Sequence, residues 1–230
     1  MRVMGLDLKP ARSGIAMNYD PGTGERFLSV AAAGASLRPL HDQVRILERA
    51  ILTRVDRWRP DVVFIEGTFS RGSHSDYGQH AAHFAVTHLL WSKGIPWVDV
   101  QTGLVKIWAT GSGSQRGATK VTKDKVVAAV IARYGQLMHI PPGDDDACDA
   151  VALMMMALTV YGRPLEPDRV IPPARFRALR SLTKGRPLPA IAPDAPTAPG
   201  WGACRCGVPG ATCVHADTDI APNSSEVPNA

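Results

Sequence analysis

The chain has 230 residues, of which 45% are hydrophobic, enough for one globular domain with a full core and an additional segment. The formal net charge of +5 and the pI of about 9.2 favour a polyanionic partner only mildly, because charge bears on association rather than on fold. The longest apolar stretch, residues 150–158, is far too short to span a bilayer, so we expect no membrane partner.

The N-terminus and the cysteines indicate the compartment. Residues 1–14 contain no long apolar core, so no signal peptide is expected. Cys148 lies between two aspartates and the other three cysteines lie near the C-terminus, which gives no disulfide framework. We therefore expect a cytoplasmic protein.

The first part of the chain predicts three closely spaced strands, a helix and a fourth strand. Turn-like Pro, Gly and Asp residues separate extended segments over 2–7, 14–18 and 26–34, which favours an antiparallel meander. Apolar residues then repeat at helical spacing over 41–59. The apolar run 62–66 follows Pro60 and indicates a fully buried strand, parallel to the first.

The second part alternates helices with one more strand. We expect a helix over 76–93, a short strand over 96–100, and a Gly-, Ser- and Thr-rich segment over 101–119. Two further helices are predicted, over 122–134 and from about Asp144 to Gly162. The acidic first turn of the last helix suits the helix dipole.

Composition changes after Gly162, where most of the chain's 19 prolines lie. We therefore predict a domain over 1–162 and a mostly disordered tail over 163–230, with a basic segment over 169–186. Four residues of the tail are candidate zinc ligands, namely Cys204, Cys206, Cys213 and His215. The Cys-x-Cys spacing is irregular for zinc, and the alternative is a flexible tail with reduced cysteines.

Four acidic residues stand out. Asp7 ends the first strand, Glu66 ends the fourth, and Asp146 and Asp149 lie three apart at the start of the last helix. A buried unpaired carboxylate is strongly unfavourable, and Mg²⁺ or Mn²⁺ would compensate it, which points to metal-assisted phosphoryl chemistry.

Simpler interpretations of the acidic residues exist. Asp7 could be an ordinary strand-end residue, and Glu66 could pair with an arginine such as Arg71. One of Asp144 and Asp145 is expected to cap the last helix, leaving Asp146 to face the site.

The order of these motifs resembles the RuvC family of Holliday-junction resolvases over residues 1–160. In that family an Asp closing strand one precedes a glycine-containing hairpin, and a Glu ending strand four precedes an aromatic residue. A basic Gly-rich segment and an Asp-x-x-Asp-Ala motif follow. The matching residues here are Asp7 with Gly14, Glu66 with Phe69, Lys106 with Thr110–Gly113 and Lys120 or Lys123, and Asp146–Ala150.

The resemblance implies an α/β, ribonuclease-H-like fold with a mixed five-stranded sheet flanked by helices. It also implies an endonuclease that resolves four-way DNA junctions with two Mg²⁺ or Mn²⁺ ions, which are bound by the four acidic residues. Asp7 would bridge the two ions. Lys106, Lys120 and Lys123 would neutralise phosphates, and Phe69 would stack on an unpaired base unless it is a core lid.

A homodimer is also expected, because two opposed nicks need two active sites. The resemblance places its interface on the helix 76–93, with four candidate contact residues, Phe84, Leu89, Leu90 and Trp91.

The sequence departs from the family after Asp7, where Leu-Lys-Pro replaces the usual Pro-Gly, and this resembles a divergent phage-borne or actinobacterial member. A phage-borne member would act in the host cytoplasm. Alternative functions are a related nuclease acting on flaps, forks or RNA–DNA hybrids, and a non-catalytic DNA-binding scaffold. An actin-like kinase is disfavoured, since residues 9–12 make a poor phosphate loop.

Overall fold

The computed structural model forms an α/β domain around one sheet. It describes residues 1–18, 29–33, 37–68, 74–114, 120–165, 171–184 and 187–191. The strands are β1 (Val3–Asp7), β2 (Ser13–Met17), β3 (Ser29–Ala33), β4 (Val62–Glu66) and β5 (Trp97–Val100). Their order across the sheet is β3-β2-β1-β4-β5. β1 pairs antiparallel with β2 and parallel with β4, so the predicted mixed five-stranded sheet is confirmed.

Six helices occur in the described ranges: α1 (Leu40–Trp58), α2 (His74–Ser92), α3 (Thr102–Thr110), α4 (Lys123–Tyr134), α5 (Asp145–Val160) and α6 (Pro173–Thr183). Two hydrophobic clusters cover the two faces of the sheet. One joins α1 and α2 to β1, β2 and β4, and the other joins α3, α4, α5 and α6 to the opposite face. None of these helices combines the length and the apolar character that a membrane crossing requires.

Helix α5 is the central helix of the second cluster. Nearly every residue from Asp146 to Val160 is buried, including the methionines 154–156, which pack in the core. A helix that is apolar all round belongs in an interior, which explains its weak amphipathicity. The Asp144 carboxylate accepts a hydrogen bond from the backbone N–H of Ala147 at 3.0 Å and caps the helix, as expected.

Two helices were not predicted. Helix α3 lies within the Gly-, Ser- and Thr-rich segment 101–119, for which no helix was predicted, and α6 lies within the segment 163–230 assigned to a mostly disordered tail. The prediction was therefore wrong for 173–183, where Leu179 is buried in the core. Pro173 occupies the start of α6, where a helix tolerates proline because the missing N–H would have no partner there.

Helix α2 exposes some of its apolar residues and buries others. Leu89 and Leu90 are buried in the cluster shared with α1, so their assignment to a dimer interface was wrong. Phe84 and Trp91 are exposed, and Tyr77 lies exposed seven residues before Phe84. The spacing of seven residues places these three aromatic side chains along one side of the helix.

Candidate active site

Two adjacent parallel strands bring the first two acidic residues together. β1 and β4 pair in register, with Leu6 opposite Ile65, and the following residues are Asp7 and Glu66. The carboxyl ends of neighbouring parallel strands meet at one edge of the sheet. Asp7 is fully buried and Glu66 is 7% exposed, so the two carboxylates lie close together with little solvent.

Helix α5 brings the third carboxylate because two glycines allow it to touch the sheet. A Cβ at Gly5 would lie 2.1 Å from the carbonyl oxygen of Ala150, and one at Gly14 would lie 1.9 Å from that of Asp146. No side chain fits in either space. Asp149, one turn into α5, is therefore held against the end of β1.

Asp7, Glu66 and Asp149 form one cluster. Each offers a carboxylate oxygen, and these atoms all lie within 4.8 Å of one another. Asp7 Oδ1 is buried and accepts no hydrogen bond in the described part of the chain. Three converging hard oxygen ligands with a buried acceptor left open fit a divalent cation such as Mg²⁺ or Mn²⁺.

The electrostatics of the cluster are those of crowded, desolvated acids. Burial and the negative charge of Glu66 raise the pKa of Asp7 well above its usual value. Burial and Asp149 raise the pKa of Glu66, although a hydrogen bond from the Thr102 hydroxyl opposes the shift. Burial and Asp7 raise the pKa of Asp149 to about 7. A bound cation would relieve this repulsion.

Asp146 does not join this cluster. It groups instead with Asp144 and Asp145. Its carboxylate contacts the Lys9 ammonium and lies 3.8 Å from Arg12 Nε. Asp146 and Asp149 are on one helix, but the structure places them in different electrostatic surroundings.

Lys9 is the site residue that the sequence analysis missed. Its Nζ donates to Asp7 Oδ2 at 2.8 Å and also contacts Asp146. Burial lowers the pKa of Lys9, but the Asp7 and Asp146 carboxylates outweigh burial and raise it above its ordinary value. The replacement of Pro-Gly by Leu-Lys-Pro after Asp7 was the available signal, and no role was assigned to the lysine.

A cleft of about 200 Å³ opens beside the cluster. Its lining residues are Lys9, Glu66, Gln79, Thr102, Lys106, Lys123, Val126, Asp145 and Asp149. Two of the three lysines predicted to bind DNA therefore face the acidic cluster, Lys106 from α3 and Lys123 from the start of α4. Lys120 is exposed and does not line the cleft.

Lys123 has a partner within the cleft. Its Nζ donates a hydrogen bond to the Asp145 carboxylate, and this bond raises the pKa of Lys123. Burial would raise the pKa of Asp145, but the lysine lowers it. Phe69, Arg71 and the candidate zinc ligands Cys204, Cys206, Cys213 and His215 lie outside the described residues.

A mixed sheet of this strand order, with carboxylates at the ends of β1 and β4 and a third on the packed helix, defines a ribonuclease-H-like protein with a nuclease-type acidic site. No family model matches the sequence. The RuvC crossover junction endodeoxyribonuclease of Parafrankia is 32% identical over 182 residues, covering 76% of this chain and 95% of the relative. That of Paenarthrobacter aurescens is 30% identical over 158 residues, covering 67% and 79%.

Solved structures agree on the fold. The chain superposes on Thermus thermophilus RuvC in complex with a Holliday junction substrate with a TM-score of 0.53 and 23% identity, covering 67% of this chain and 90% of that one. A second T. thermophilus RuvC structure gives a TM-score of 0.50. The chain belongs to the RuvC family of crossover junction endodeoxyribonucleases, and the resemblance drawn from the sequence is confirmed.

Proposed function

We propose that this protein is a divalent-metal-dependent endonuclease that cuts four-way DNA junctions. The observation that carries the proposal is the convergence of Asp7, Glu66 and Asp149, whose oxygens lie within 4.8 Å of one another, with Asp7 and Glu66 buried and Asp149 partly buried. Family membership supplies the substrate, since the relatives are named crossover junction endodeoxyribonucleases.

The three carboxylates would hold a Mg²⁺ or Mn²⁺ ion, with Asp7 as the central ligand. Bound there, the ion would polarise the scissile phosphodiester and lower the pKa of an attacking water. Burial and the negative charge of Asp7 raise the pKa of Asp149 to about 7, and a bound cation would oppose this shift by favouring the charged carboxylate. Thr102 donates a hydrogen bond to Glu66 and orients it.

The lysines of the cleft would receive the DNA backbone. Lys106 projects from α3 beside Glu66 and Asp149, and Lys123 begins α4 on the same cleft. A phosphate entering between them would meet two positive point charges next to the acidic cluster. Lys120 would contact the backbone outside the cleft, and Phe69 keeps its proposed role as the base-stacking residue.

A homodimer belongs to this proposal, because two opposed nicks need two copies of a site that each chain supplies once. The aromatic stripe of α2, defined as Tyr77, Phe84 and Trp91, is 70%, 72% and 68% exposed. Exposed aromatic residues on one helix face are typical of interface cores. His88 fills the stripe between the last two, 6.1 Å from the Phe84 ring and 5.9 Å from the Trp91 ring.

A cleavage assay tests the nuclease proposal. Labelled four-way junction, flap, replication fork, RNA–DNA hybrid and linear duplex are each incubated with the protein in Mg²⁺, with Asp7→Asn as the control for the site. Symmetrical nicks in the junction that disappear in Asp7→Asn are expected. Preferred cleavage of a flap, fork or hybrid would favour a related nuclease, and binding without cleavage would indicate a scaffold.

A further inference from the structure

A hairpin holds Lys9 in the acidic site. The Lys9 N–H donates to Ser13 Oγ at 2.9 Å, and the Ser13 hydroxyl donates back to the Lys9 carbonyl at 2.6 Å. Ser13 is fully buried at the start of β2. These reciprocal bonds fix the lysine backbone two residues after Asp7, so the side chain begins at a defined point beside the cluster.

The ammonium of Lys9 joins two carboxylates from different elements. Nζ lies 2.8 Å from Asp7 Oδ2, at the end of β1, and contacts Asp146 Oδ1 at the start of α5. The side chain of Asp7 is fully buried and that of Asp146 is 10% exposed. A cation bridging two carboxylates in this way occupies the position of an ion with both as ligands.

The two oxygens of Asp7 consequently differ in their partners. Oδ2 is taken by Lys9, whereas Oδ1 is buried and accepts no hydrogen bond from the described residues. Glu66 and Asp149 converge with Asp7, whereas Asp146 stands apart with Lys9. The site therefore has one set of three carboxylates open to a metal ion and one pair already bridged by an ammonium.

Charge makes this division consequential. A second divalent ion between Asp7 and Asp146 would have to share its ligands with the lysine ammonium, and like charges at hydrogen-bonding distance repel strongly where water is scarce. Four carboxylates balanced by one divalent ion and one ammonium leave a slightly negative site, whereas two divalent ions and the ammonium would leave it slightly positive.

We propose that Lys9 is a resident cation which takes the place of a second divalent ion, so that each chain binds one ion at Asp7, Glu66 and Asp149. The inference rests on the proposed function and changes the expectation of two ions drawn from the resemblance. Lys9 would then act on the reaction through Asp7 and Asp146, as a positioning residue.

Metal stoichiometry without DNA tests the inference. Mn²⁺ is titrated into the full-length protein, and free Mn²⁺ is counted by its electron paramagnetic resonance signal. The wild type should bind one ion per chain. Lys9→Met, which keeps the length of the side chain and removes its charge, should bind two with affinities within about tenfold of each other. Lys9→Arg, which retains the charge, should bind one.

Two further variants locate the second ion. Lys9→Met combined with Asp146→Asn should return to one ion, because the second ion would lose a ligand. Lys106→Met removes a charge from the same cleft without touching Asp7 and should keep one ion. Circular dichroism and thermal melting of each variant establish that the count refers to folded protein.

The possible results distinguish the role proposed for Lys9 from the proposed nuclease activity. Two ions in the wild type, or one ion in folded Lys9→Met, would overturn the role of Lys9 while leaving the nuclease proposal intact if the wild type nicks junctions. A wild type that binds no Mn²⁺ and cuts no junction would overturn both. If Lys9→Met does not fold, the number of Mn²⁺ ions bound per chain is measured on Lys9→Gln instead, and two ions are again expected.

Discussion

Gly14 of β2 and Asp146 of α5 are in direct backbone contact, because a Cβ at Gly14 would lie 1.9 Å from the Asp146 carbonyl oxygen. The contact places the first turn of α5 on the sheet. Gly5 makes the equivalent contact with Ala150 one turn later. The position of Asp149 therefore depends on two residues that have no side chain.

Gly14→Ala should destabilise the protein by about 3 kcal/mol, because the new methyl group overlaps backbone that cannot move without lifting α5. Urea unfolding at equilibrium measures the change. Gly103→Ala is the matched control, since a Cβ there meets nothing within 4 Å and alanine favours the helix by up to about 1 kcal/mol. Equal effects of the two substitutions would contradict the close approach.

Asp149→Asn should stabilise the metal-free protein at pH 8 by about 2 kcal/mol, because it removes a partly buried charge that other carboxylates repel. A pKa raised to about 7 in the folded state means that this group lowers stability as pH rises from about 4 to about 7. Urea unfolding in EDTA measures the free energy of unfolding at pH 5 and pH 8. The fall between the two pH values should be smaller for Asp149→Asn than for the wild type.

Mg²⁺ should raise the melting temperature of the wild type and not that of Asp149→Asn, since binding to the native state alone stabilises it. Asp56→Asn serves as the control, because that carboxylate pairs with Lys93 outside the cluster. A variant that keeps both the pH-dependent loss and the response to Mg²⁺ would exclude Asp149 from the site.

Lys106→Ala should weaken binding to a four-way junction about fivefold and reduce the slope of log K against log salt concentration by about 1, because one phosphate contact is lost. Fluorescence anisotropy in an Asp7→Asn background measures binding without cleavage. Lys93→Ala is the control, since Lys93 pairs with Asp56 and does not line the cleft. The same loss in both variants would indicate a general charge effect.

Arg175→Ala should cost about 1–3 kcal/mol, because Arg175 on α6 satisfies two carbonyls at the end of α3. Its Nε donates to the Trp108 carbonyl at 2.5 Å and an Nη donates to the Ala109 carbonyl at 2.7 Å. Chemical denaturation measures the loss, and Arg177→Ala, exposed on the same helix, is the control. Junction affinity should fall as well, since α3 carries Lys106. If neither the stability nor the junction affinity changed, the contact between α6 and α3 would be contradicted.

Phe84→Glu should convert a dimer to a monomer, because a charge would replace an exposed ring in the middle of the aromatic stripe. Sedimentation velocity reads the change directly. Leu137→Glu introduces the same charge at a residue 43% exposed after α4 and should leave the dimer intact. A wild type that sediments as a monomer would refute the dimer itself.

The sheet could be predicted from the sequence because its signals are local. Apolar runs end at Asp7 and Glu66, and turn residues separate the first strands. Residue type and position likewise predict an N-cap at Asp144 or Asp145, and the structure has it at Asp144. Each feature depends on a few neighbouring residues and on the alternation or helical period they follow.

The remaining features depend on contacts between distant residues. Lys9 reaches Asp146 across 137 positions, and Arg175 reaches Trp108 across 67. Helix α6 could not be predicted from its proline-rich surroundings. It is stabilised by the burial of Leu179 against other helices, a contact that the local sequence does not indicate. Asp146 was assigned to the metal cluster with Asp149, three residues along the same helix. That spacing does not predict the contact of Asp146 with Lys9, which lies in the hairpin between β1 and β2.

Helix α5 is buried from Ala150 to Val160 immediately after Asp149. Its backbone amides should therefore exchange with deuterium only when the whole domain opens, since interior helices share the global unfolding free energy. No subglobal opening would separate Asp149 from Asp7 while the sheet stays intact. Slow hydrogen exchange along α5 would then indicate that Asp149 still lies beside Asp7, even in an inactive variant.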